Sequence, residues 1–290
     1  MGFPKDIGII DCMLGIPEAE DRSAWFDPFR PLIKDRQTLD QFAMPAQYMF
    51  KDIPQAGSDV DDFVSWTVEQ MDKHGVEKAL VGWNDNATSY RAKEKYGDRF
   101  FFDLPCDPNN GMEEVRRIKR IHAEVGLSAL SVFPAGTLPQ VAINHKYMFP
   151  LYACAEELGL PVLLNAGIPG PRIPMETQKV EHLDEVCWFF PDLKVVMRHG
   201  AEPWEALAVK LMLKWPNLYY STSAFAPKHY PKAIIDYANT RGADKILYAG
   251  YFPMGLSLDR IFSDMEKVPF KDEVWPKFLR ENARKVFDLK

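Results

Sequence analysis

Residues 194–204, KVVMRHGAEPW, end an apolar β-type run with Arg198 and His199 and then turn at Gly200. An imidazole at such a place can be a general acid or base, a metal ligand or a packed core ring. Other apolar runs also end in groups able to do chemistry. These are Asp11, Cys12 and Met13; Trp83 and Asn84; Asp103 and Cys106; Asn165; Ser221, Thr222 and Ser223; and Tyr251. The set is polar, with one histidine and few acids. His74, His122, His145, His182 and His229 fall in or beside helical patterns and read as surface residues.

Each group has a functional and a structural reading. His199 suits proton transfer, because an imidazole titrates near neutrality. Asn165 and Tyr251 are neutral donors that can stabilise an oxyanion, or they merely fill space. Cys12 could be a nucleophile with His199 as base, although a buried Cys is more often a small hydrophobe. Arg198 can grip a substrate carboxylate with two parallel bonds, but alternation points it away from His199, so a structural salt bridge fits equally. Arg172, in the loop sequence GPRIP, is the loop residue best suited to an anion. Trp83 and Ser223 are expected to line the substrate's surroundings. Asp11 reads as a group bonded to backbone.

Eight strand-like runs must position these residues: 7–14, 78–83, 99–105, 127–134, 161–167, 194–200, 217–224 and 245–251. Amphipathic stretches separate them, including 59–75, 110–126, 148–159, 203–216 and 231–242. Segment 110–126 carries an Asn to cap its start and Gly126 to end it. Strands alternating with helices predict an α/β chain, a (β/α)8 TIM barrel over residues 1–290. No Gly-x-Gly-x-x-Gly follows any strand, which disfavours a dinucleotide-binding sheet. Two proline-bearing segments interrupt the rhythm: an insertion, residues 16–58, after the first strand, and the loop 168–176 after the fifth. In a barrel both fall on the catalytic face, as lids or dimer contacts.

The net charge of −6 argues against a nucleic-acid partner, which would require a basic surface. No apolar run approaches the roughly 20 residues of a membrane span. The four cysteines show no CxxC spacing, and no signal-peptide pattern opens the chain. A cytoplasmic protein is expected.

The segments KVVMRHGAEPWE, NLYYSTSAFAP, ILYAGYFPMG, GLPVLLNAG and RENARKVFDL resemble the amidohydrolase-2 family, which includes aminocarboxymuconate-semialdehyde decarboxylase. The resemblance implies a barrel that opens with Asp-x-His-x-His, has further histidines after strands five and six, and an aspartate after strand eight. Here Met13 and Gly15 stand at the first two histidine places, Asn165 at the third and Tyr251 at the aspartate place. Only His199 agrees. Zinc takes three or four His, Cys or carboxylate ligands, so no metal and no other cofactor is expected. The expected function is a metal-independent hydrolase or carboxy-lyase on a small carboxylated or cyclic substrate. His199 would be its acid/base, with Asn165 and Tyr251 polarising the substrate. The alternatives are a catalytically silent subunit paired with a metal-bearing relative, or a small-molecule binding protein. A homodimer, or a heterodimer with a related barrel, is the expected assembly.

Overall fold

Alternation along a strand sends successive side chains to opposite faces, and in a barrel those faces are the interior and the helix layer. The computed structural model, which describes residues 2–17, 23–40, 44, 46–50, 53–54 and 60–290, shows both. Strands β1 (Ile9–Asp11), β2 (Val76–Gly82), β3 (Phe100–Pro105), β4 (Ala129–Val132), β5 (Val162–Asn165), β6 (Val195–Arg198), β7 (Leu218–Ser221) and β8 (Ile246–Leu247) lie in sequential order. Adjacent strands are parallel. The ends of the sheet meet where Cys12 N–H donates to the Tyr248 carbonyl at 3.0 Å and Tyr251 N–H to the Met13 carbonyl at 3.1 Å. The (β/α)8 TIM barrel expected from the sequence is therefore the observed fold.

Among the described residues, one main helix follows each strand around the outside. These helices are α1 (Phe63–Lys73), α2 (Ala87–Tyr96), α3 (Met112–Val125), α4 (Phe149–Glu157), α5 (His182–Phe189), α6 (Glu205–Lys214), α7 (Lys232–Tyr237) and α8 (Leu258–Met265). Helix α3 ends on Gly126 at φ 77° as expected, but Asn110 is not its cap. Gly111 holds that place without a side-chain bond, while Asn110 Nδ2 donates to Glu114 Oε2 at 3.0 Å.

The barrel interior is an apolar layer of Ile10, Cys12, Leu80, Phe101, Ala129, Leu163, Val196, Tyr219, Leu247 and Ala249. Ala283, Val286 and Phe287 of the C-terminal segment join it from below, Phe287 tilting against Phe101 at 5.4 Å. Lys194 Nζ donates to the carbonyls of Lys285 and Val286, fixing this plug. A second, larger core fills the space between strands and helices. The four cysteines are buried free thiols. Among the described residues, no helix is long and apolar enough to cross a membrane.

The strands are shorter than the apolar runs predict, because several run ends bend out of extended geometry. His199, Gly200 and Ala201 have φ of 65°, 90° and 59°, and Tyr251 has 95°. For residues other than glycine such conformations cost of order 1–3 kcal/mol each, and they concentrate at functional sites.

Candidate active site

One alternation step above the apolar layer, the strands bring polar side chains to the barrel axis. Asp103, Ser131, Asn165 and Arg198 line cavities here, and Asn165 pairs in register with Arg198 across β5 and β6. Three adjoining cavities of about 780, 520 and 430 Å³ open from this layer, and Met13 borders all of them. The largest holds Asn165, His199 and Tyr251 together; the middle one is shared by Asn165, His199 and Arg198.

The left-handed turn at 199–201 swings His199 out of the strand's alternation. Gly200 is required within it, because a Cβ there would stand 2.2 Å from the Phe225 ring. Ser223, fully buried after β7, fixes the imidazole. Its Oγ accepts from the His199 backbone N–H at 3.1 Å and lies 3.2 Å from Nδ1. The Ser223 hydroxyl can donate to Nδ1 or accept from it, according to the ring tautomer. Burial, reinforced by the neighbouring Arg198 charge, pulls His199 down to about 3, with the Ser223 backbone working weakly the other way. At neutral pH the ring is uncharged. Being neutral, the imidazole carries one basic nitrogen and one N–H, the two groups that the acid/base role expected for His199 would use.

Tyr251 meets the His199 ring edge-on at 5.5 Å and stacks on Phe50 at 5.6 Å. Burial pushes its phenol up to about 12, so it too stays protonated. Asp11 bonds backbone, as expected: Oδ1 accepts from the N–H of Met13 and of Gly250, each at 2.9 Å. Burial outweighs those bonds and raises its carboxyl to about 7. Its Oδ2 crowds the space beside Gly250, where a Cβ would stand 2.6 Å away.

Other expected residues lie elsewhere. Cys12 is packed in the apolar layer, and burial raises its thiol well above the usual range, which removes the nucleophile reading. Trp83 faces the helix layer, edge-on to Tyr90 and Phe102, and borders none of the three cavities. Arg172 grips the insertion instead of an anion. Its Nη1 reaches Asp35 Oδ1 at 2.7 Å and Gln37 Oε1 at 2.9 Å, and its guanidinium lies 4.6 Å over Tyr48. Arg198 does face an interior partner, Asp103, at 3.6 Å.

Sequence reasoning missed the walls. Phe26, Phe29 and Phe50 of the insertion, with Phe133 and Phe225, line the largest cavity, so the described part of segment 16–58 covers the mouth. Lys228, His229 and Arg260 form a basic rim, which moves His229 from a remote surface to the cavity. Periodicity carries no signal for these loop residues.

The fold family implies a divalent metal at the mouth, and the residues present do not fit one. Met13, Asn165, His199 and Tyr251 do converge, but they offer a thioether, an amide, one imidazole and a phenol held protonated. Among the described residues no three His, Cys, Asp or Glu come together. Zinc and manganese want imidazoles, thiolates or carboxylates in that number.

A parallel eight-stranded barrel with a polar, loop-walled mouth at the C-terminal strand ends defines a (β/α)8 TIM-barrel architecture. The chain belongs to the amidohydrolase family, whose model matches residues 31–289. No curated protein matches it. Among solved structures it resembles an uncharacterized TIM-barrel protein from Bordetella bronchiseptica, with 21% identity, TM-score 0.71 and coverage of 98% and 99% of the two chains. It also resembles 5-carboxyvanillate decarboxylase from Novosphingobium aromaticivorans, solved with manganese, at 16% identity, TM-score 0.65 and 98% of both chains. A probable 2-pyrone-4,6-dicarboxylic acid hydrolase from Acinetobacter baumannii, solved with citric acid, matches at 12% identity and TM-score 0.64, over 97% of this chain and 100% of that one.

Proposed function

We propose that this amidohydrolase-family chain is a metal-independent hydrolase or carboxy-lyase acting on a small cyclic, carboxylated substrate. One observation carries the reading: three groups able to donate without carrying charge, His199, Asn165 and Tyr251, border one cavity with aromatic walls. Both reactions move negative charge onto a substrate oxygen. In hydrolysis it is the former carbonyl oxygen of the tetrahedral adduct. In loss of CO2 from an activated ring acid, the electron pair left behind spreads to an oxygen on the ring. Fixed neutral donors stabilise such charge without reorganising, and a neutral imidazole can serve as an electrophile in this way.

The substrate class draws support from the walls and from the carboxylated ring compounds named for two of the similar structures. The donor chemistry at Met13, Asn165 and Tyr251 supports the metal-free mechanism. Its test is elemental analysis of the purified protein, with turnover of a panel of carboxylated lactones and hydroxybenzoates measured before and after chelation. Substoichiometric zinc, iron and manganese with unchanged turnover is the expected result. A full complement of metal whose removal abolishes turnover would overturn the reading.

A further inference from the structure

Arg198 is a cation placed where cations are costly. Its side chain is 8% exposed, at the axis of the barrel, and borders both the 430 and the 520 Å³ cavities. A buried guanidinium wants its N–H donors satisfied, by a carboxylate above all. Asp103 is an incomplete answer. At 3.6 Å it lowers the electrostatic cost but stands outside hydrogen-bond distance. Among the described residues, no acceptor lies within hydrogen-bond reach of Arg198. The donors of a buried cation are therefore left facing a cavity that also contains Asn165 and His199.

We propose that Arg198 is the anchor for a carboxylate of the substrate, which it holds at the barrel axis and retains through turnover. This rests on the reading of the mouth as a catalytic site and specifies which end of the substrate reacts. Asn165 is the in-register neighbour of Arg198, and His199 is the next residue. A carboxylate seated on Arg198 thus directs its ring past Asn165 and His199 into the aromatic cavity toward Tyr251. Expelling that carboxylate as CO2 would strip the guanidinium of the partner it gained on binding. Tight binding of a leaving group in the ground state opposes its loss. The bond that changes is the one facing His199, Asn165 and Tyr251, not the one to the anchored carboxylate.

Calorimetric binding of benzoate, against neutral benzamide of the same shape, tests the anchor without any turnover. Benzoate is expected to bind at least about tenfold more tightly, the worth of one charge-assisted pair. Replacing Arg198 alone would leave Asp103 buried and unpaired, so the comparison protein is the double variant Arg198→Met, Asp103→Leu, its fold checked by circular dichroism. It should lose the preference for benzoate. Equal binding of both probes, binding of neither, or an unchanged preference in a folded double variant overturns the anchor. Release of CO2 from a turned-over monocarboxylate also overturns it. Benzoate binding through Arg198 in a protein that transforms nothing sinks the catalytic reading and leaves the anchor. Turnover with KM indifferent to Arg198 does the reverse.

Discussion

Ser223 holds His199 at two points, accepting from its backbone N–H at 3.1 Å and meeting its Nδ1 at 3.2 Å. One hydroxyl thereby braces both the turn and the ring. Replacing Ser223 with Ala removes both contacts. We expect kcat to fall about tenfold or more with KM little changed, and stability to fall by about 1 kcal/mol. A kcat equal to that of the wild type would show that the ring needs no such partner.

The protonation of His199 and of Asp11 works in opposite directions. His199 is depressed from 6.5 to about 3, so its neutral burial costs nothing above 6.5 and destabilises the fold as pH drops below that. Asp11 is raised from 3.8 to about 7, so its contribution is complete below 3.8 and is lost as pH rises through 7. Between roughly pH 4 and 6.5 the two slopes oppose one another. Chemical unfolding from pH 4 to 8 should show His199→Gln losing stability toward high pH and Asp11→Asn losing it toward low pH. Parallel profiles for the two variants would contradict both assignments.

Arg172 ties the aromatic wall to the loop after β5 through Asp35, Gln37 and the Tyr48 ring. The ion pair is about one-third exposed on both sides and contributes little to stability. Arg172→Ala should therefore change unfolding free energy by about 1 kcal/mol or less. Limited proteolysis should nevertheless cut the 26–50 region faster, and KM should rise several-fold. Unchanged cleavage would mean the wall is held by its own packing.

Gly200 sits at φ 90° against Phe225. Gly200→Ala adds both backbone strain and a ring clash, so we expect a loss of about 2 kcal/mol or more in unfolding free energy. A thermal melt within a degree of wild type would show that the turn adapts.

The order of strands was legible because apolar β-branched runs recur at even spacing, and the mouth followed from where those runs end. Helix α2 left little trace: Ser89 and Ala92 are its buried positions, so its sequence shows no apolar stripe. Alternation also contained more than was taken from it. With Val196 inside the barrel, Arg198 two residues later must face the axis, whereas Trp83 follows the inward Gly82 position and turns outward. Cys12 shares the inward face with Ile10 but lies at apolar depth. Depth along the axis, which separates a thiol in the core from a guanidinium at a cavity, depends on strand stagger and is not a sequence period. The aromatic wall is equally invisible, since it is assembled by an insertion whose path no periodicity constrains.

The plug formed by Ala283, Val286 and Phe287 has a temporal implication. Ribosomes make these residues after every strand, so a growing chain can line up all eight strands and still have water beneath Phe101. Closure of the base therefore waits on residues made later than every strand. Until they dock, the apolar face of Phe101 is open to water from below.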